Sequence, residues 1–196
     1  MKKIMFNDDY ELTEAVIQGR KTVTRRIIPQ KLVDQYKLPC WQATYKSIRE
    51  WLLANSTYKV GEVVAIAQSY RDVYLNSSSI YKIGLLGRTA GWRNKMFVCA
   101  DDMPHHIKIT NIRVERLQDI SDEDCLKEGI RKWGDIEPSL KNTRLGQLYE
   151  HAGVWPGWTT PQKAFASLIN KICGNGTWKN NPYTWVYEFE LINSEK

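Results

Sequence analysis

The end of the chain constrains its fold more than any other stretch. Tyr183, Trp185, Tyr187, Phe189 and Leu191 alternate with Thr184, Val186, Glu188 and Glu190. A period of two puts the large apolar set on one face of a strand and the acids on the other, so the aromatic face has to be buried in a sheet. Upstream, Ile107 and Ile109 share a face, and Ile112 and Val114 continue in the opposite phase. One slipped residue near Thr110–Asn111 restores the register; that is a β-bulge, the usual device for curving a sheet. Val63–Ala67, behind the turn Lys59-Val60-Gly61-Glu62, and Met96–Cys99 read as further strands, and residues 71–95 as a hairpin with long loops.

Short helices fall between these strands without a βαβ rhythm. Asp8 or Asp9 can cap one whose face holds Leu12, Ala15 and Val16, with Gly19 placed as a left-handed terminator. Trp41, Tyr45, Ile48 and Leu52 recur at helical spacing over residues 41–54. Ser121-Asp122-Glu123-Asp124 opens a helix that Gly129 ends, and Thr160-Pro161 opens another with Phe165, Leu168, Ile169 and Ile172 on its face. The sum is an α+β chain built on a curved antiparallel sheet with short flanking helices. At 196 residues it is one domain that buries roughly 70% of its unfolded surface. Residues 131–160, rich in Gly, Pro and Trp, read as an insertion.

No apolar run approaches the roughly 18 residues of a membrane span. The apolar stretch after Met1 is too short for a signal peptide, so the cytoplasm is the expected compartment. Cys40, Cys99, Cys125 and Cys173 form no C-x-x-C pair and are expected as buried or half-buried free thiols. No metal or cofactor is expected. His151 reads as a surface residue. Trp92, Trp133, Trp155 and Trp158 lie in loop-like stretches, where they either stack on bases or fill the fold.

Charge is uneven. Lys plus Arg is 28 against 22 acids, and between Ala15 and Val33 there is no acid at all, while Arg20, Lys21, Arg25, Arg26 and Lys31 all fall there. Arg forks suit phosphate oxygens, and a run of cations without local counter-charge favours a visiting anion. Glu128 falls in the last turn of its helix, where the dipole disfavours a carboxylate by about 0.3–1 kcal/mol. Such a group either pairs with a cation or keeps a raised pKa for use.

Gly19-Arg20-Lys21-Thr22-Val23-Thr24-Arg25-Arg26 resembles the G-x-K-T-x-T-x-R signature that opens ASCH domains, small β-barrels of the PUA-like superfamily. Val60–Val63, Arg113–Ser121 and Trp178–Val186 agree in order, most like the longer ASCH proteins of bacteria and their phages. Residues 30–58 and 131–160 are the least covered and are expected as insertions. The resemblance implies a PUA-like barrel and RNA or a modified nucleoside as partner, with Arg20, Lys21, Thr22, Arg25 and Arg26 on the nucleic acid. One branch is an amidohydrolase that deacetylates N4-acetylcytidine, and its catalytic set maps onto Lys21, Thr24 and Glu128. Three functions follow: an RNA- or nucleotide-binding module, a hydrolase of acylated cytidine, or a non-catalytic factor that docks a protein through residues 131–160.

Overall fold

The bulged strand and the aromatic strand occupy the middle of the sheet. The computed structural model describes residues 1–75, 84–152 and 157–192. Its strands are β1 (Lys2–Ile4), β2 (Val23–Ile27), β3 (Val63–Ile66), β4 (His106–Arg116), β5 (Arg131–Lys132), β6 (Tyr149–Glu150) and β7 (Tyr183–Ile192). Five of them are ordered β1-β3-β4-β7-β2, and β5 pairs with β6 separately. Ile109 faces Phe189 and Asn111 faces Glu188, so the register slips at Thr110, where the change of phase in the sequence requires it.

The expectation of a closed, wholly antiparallel PUA-like barrel is overturned. The five-stranded sheet is open, with β1 and β2 at opposite edges, and β1 runs parallel to β3. Closure would need a strand partner along β2. Instead, the start of β2 is tied to the helix ahead of Gly129: the Thr22 N–H donates to the Lys127 carbonyl at 3.0 Å.

The α-helices are numbered α1 (Leu12–Ile17), α2 (Gln30–Gln35), α3 (Pro39–Thr44), α4 (Ile48–Ala54), α5 (Tyr70–Tyr74), α6 (Asp122–Lys127), α7 (Trp133–Ile136), α8 (Pro161–Cys173) and α9 (Thr177–Asn180), of which α1, α6 and α8 border the site. One core joins α1, α4 and α8 to the central strands through Val16, Leu52, Phe165, Leu168, Tyr187 and Phe189. Both faces of β7 contribute: Thr184 and Val186, on its acid-bearing face, are as buried as Tyr187. A central strand is covered on two sides, whereas alternation by itself implies one solvated face.

Other expectations shift locally. The single helix over residues 41–54 is two, α3 and α4, because the Ser47 hydroxyl caps a new start by accepting the Glu50 N–H. Met96–Cys99 is no strand; Lys95–Phe97 is a 3-10 turn. Within residues 71–95 the described part forms α5 and a 3-10 turn at Ala90–Trp92 rather than a hairpin, and residues 76–83 lie outside the described residues. Among the described residues, no helix is long and apolar enough to cross a membrane. Cys125 is buried, but Cys40, Cys99 and Cys173 are exposed.

Candidate active site

Two helix ends deliver the charged residues. Beyond α1, Gly19 takes φ +73°, and the Lys21 N–H returns to the Ala15 carbonyl at 2.9 Å, which turns the lysine back over the helix end. α6 begins at Ser121, whose hydroxyl accepts the Asp124 N–H. It ends in a Schellman arrangement: the Gly129 N–H donates to the Leu126 carbonyl and the Ile130 N–H to the Cys125 carbonyl. Gly129 has φ +105°, and a Cβ there would stand 3.2 Å from Leu12 Cδ2, so the position needs glycine on both counts. Glu128 is thereby held at the C-cap, with its side chain directed toward β2.

Lys21 and Glu128, 107 residues apart, meet in the interior. Lys21 Nζ lies 2.5 Å from Glu128 Oε2, with the two side chains 2% and 5% exposed. The ammonium also donates to the Glu128 carbonyl at 2.8 Å and to the Val23 carbonyl, so all three of its N–H groups are engaged. Burial pushes the Lys21 pKa down from the ordinary lysine range, while the Glu128 charge pulls it back in part.

Arg25 completes the array. Its guanidinium reaches Asp124 at 2.7 Å, Glu115 at 3.0 Å and Glu128 Oε1 at 3.4 Å. Arg113, on β4, pairs with the same Glu115 and Asp124, and with Glu188 of β7. Burial alone would lower the Arg25 pKa, but these carboxylates raise it, so its charge is retained. The acid-free segment is therefore acid-free only along the chain. Counter-charges for Lys21 and Arg25 come from Glu115, Asp124 and Glu128, brought up by β4 and α6.

A pocket of about 260 Å³ opens beside this array. Lys21, Thr24, Arg25 and Glu128 line its polar side. Phe6, Leu12 and Ile27, with Phe165, Leu168 and Ile172 of α8, line the apolar side. Thr24 is 4% exposed, and its hydroxyl makes no hydrogen bond among the described residues. Arg26 is half-buried at the rim; its guanidinium lies 5.6 Å from the Phe6 ring and donates to the Met5 carbonyl.

No family model matches the chain, and no curated protein is similar to it. Among solved structures, the chain is similar to protein EF3133 from Enterococcus faecalis V583, of the family described as DUF984. The identity is 13% and the TM-score 0.39, covering 98% of this chain and 77% of that one. A likeness so distant carries no argument about ligand or activity.

Of the residues expected on a nucleic acid, Lys21, Arg25 and Arg26 come together at this pocket. Thr22 contributes backbone hydrogen bonds to Lys127 and Phe189. Arg20 stands apart. It is exposed beside a larger hollow of about 660 Å³, where Glu11, Glu14 and Asp135 accompany it, and its Nε donates to Gln18. The apolar wall of α8 and the Phe6 ring were not among the sequence candidates. The helical face Phe165–Leu168–Ile169–Ile172 marked burial, but nothing along the chain marks which part of a buried face borders a cavity.

His151 also departs from expectation. It is 1% exposed, stacked on Trp158 at 4.9 Å, and edge-on to Tyr10 at 5.6 Å. Trp133 donates to Glu150 at 2.9 Å, so Trp133 and Trp158 secure the β5–β6 region. Trp92 packs on a small cluster around Tyr70 and Met103, and Trp155 lies outside the described residues.

Proposed function

We propose that this pocket binds an acylated nucleobase and hydrolyses its amide, which makes the protein an amidohydrolase of N4-acetylcytidine-like substrates. The observation that carries this reading is the 2.5 Å contact between Lys21 Nζ and Glu128 Oε2, buried in the pocket that Thr24 lines. The ASCH resemblance of the Gly19–Arg26 block supplies the substrate, and the geometry supports the chemistry.

Amide hydrolysis adds an oxygen nucleophile to the carbonyl carbon and returns a proton to the departing nitrogen. The Thr24 hydroxyl, directly or through a water it holds, provides the oxygen. Lys21 cannot accept a proton while all three N–H groups are donated within the chain. Transfer of one proton to Glu128 across the short contact leaves an amine with a lone pair, and burial lowers the cost of that transfer. The amine takes the nucleophile's proton, and the pair then returns a proton to the leaving amine. One water is consumed, and a carboxylate and a free base are released.

Incubation of the purified protein with N4-acetylcytidine should release acetate, and Lys21→Ala should slow the release by at least about a hundredfold. No acetate from wild type, or release from the variant at the wild-type rate, rejects the assignment. Plain RNA binding has less support, because the charges of Lys21 and Arg25 are already met by Glu128, Asp124 and Glu115. It would appear as retention on RNA that falls steeply with salt.

A further inference from the structure

The pocket is small for the ligand its chemistry implies. At about 260 Å³ it falls below the roughly 300–1,000 Å³ of sites that enclose a drug-sized ligand. A base with its acyl group suits such a space, whereas a sugar and phosphate have to leave it. The rim decides where they go. Arg26 and Ile27 line this pocket and also a second hollow of about 270 Å³, walled by Thr57, Tyr58, Trp185 and Tyr187. The Tyr58 ring is held there by its hydroxyl, which donates to the Lys3 carbonyl at 3.0 Å.

Arg26 is half-buried between the two hollows, and it differs from its neighbour Arg25. Three carboxylates face Arg25, whereas none pairs with Arg26 among the described residues. One nitrogen of Arg26 donates to the Met5 carbonyl, and its Cζ lies 5.6 Å from the centre of the Phe6 ring. The rest of its donor fork is available, in a geometry that matches a phosphate.

We propose that the two hollows are consecutive subsites for two joined nucleotides: the acylated base in the first, the bridging phosphate on Arg26, and the neighbouring base against the half-buried Tyr58 ring in the second. The identity of the first base rests on the hydrolase reading; the placement of the phosphate and the second base does not. A planar base of any kind stacks on an aromatic ring, so the second subsite selects for a ring more than for a sequence.

Intrinsic tryptophan fluorescence reads binding without chemistry, since Trp185 lines the second hollow. The probes are cytidine, cytidine 3′-monophosphate and the dinucleotide cytidylyl-adenosine. Affinity should rise by about tenfold with the phosphate, as a charge-assisted fork contact gives, and rise again with the dinucleotide. Arg26→Gln should remove the gain from the phosphate. Thr57→Trp, at an exposed position that fills the second hollow, should remove only the gain from the second base, and it stays informative if Arg26→Gln fails to fold. Equal affinity for cytidine and its monophosphate, or an Arg26→Gln variant that weakens all three probes alike, overturns the phosphate site. A dinucleotide that binds no tighter than the monophosphate overturns the second subsite. If the affinity pattern holds and an acetylated dinucleotide releases no acetate, the hydrolase reading fails and the subsites stand; release with flat affinities rejects the subsites alone.

Discussion

Lys21 and His151 are buried to nearly the same degree, 2% and 1% exposed, yet the fold treats their charges in opposite ways. Lys21 meets a carboxylate at 2.5 Å, and Arg25 beside it faces three. His151 meets two aromatic rings and the Ser167 hydroxyl at 3.3 Å from Nε2, with no partner for Nδ1. The charge that acts on it, Lys171, has the wrong sign, and burial pushes its pKa down to about 4. Depth therefore does not decide whether a buried group is charged; its partners do. The pocket surrounds its basic side chains with carboxylates, and the β5–β6 region holds a neutral imidazole among aromatic rings.

The comparison can be broken at either end. The largest effect expected is on turnover: Lys21→Met should slow acetate release by roughly 10²–10⁴-fold, the range for loss of one general acid–base group. A variant as active as wild type would remove Lys21 from the chemistry. Next, Glu128→Ala leaves Lys21 buried without its carboxylate and should cost about 3–5 kcal/mol in urea unfolding. The double variant Lys21→Met/Glu128→Ala should recover part of that loss, and strict additivity would show that the two groups are not coupled.

His151 supplies the third effect. An unfolded histidine titrates near 6.5 and the folded one at about 4, so between those values the unfolded chain binds the extra proton. Stability is full above about pH 6.5 and is lost as the pH falls toward 4, by up to about 3 kcal/mol. His151→Phe, which keeps a ring on Trp158, should flatten that part of the stability profile. An unchanged slope would place the proton uptake on other groups. The smallest effect sharpens the comparison rather than breaking it. Ser121→Ala removes the cap that seats α6 and should lower stability by about 1 kcal/mol in thermal melting. A much larger loss would mean that the cap also holds the Glu128 array together.

Much of the framework was legible along the chain because it is written in local terms. Alternation announced β7 and the phase change announced the bulge at Thr110, since side-chain period follows from strand geometry. Ser121 and Gly129 announced both ends of α6, and with them the awkward place of Glu128. Thr160-Pro161 did the same for the start of α8. The break between α3 and α4 was harder, because Ser47 can cap a helix or ride on its surface, and packing chose the cap.

The sequence by itself determined the central strands β4 and β7, the strand β3, both ends of α6 and an unusual run of cations, all set by rules that reach only a few residues. The tertiary structure alone decided that the sheet stays open, that Arg25 is neutralised by Asp124, Glu115 and Glu128, and that Arg26 is left without a carboxylate. It also decided that His151 is buried and neutral. Charge state and cavity shape depend on groups 90 to 107 positions away in the chain, such as Glu115 from Arg25 and Glu128 from Lys21, and no local pattern carries that distance.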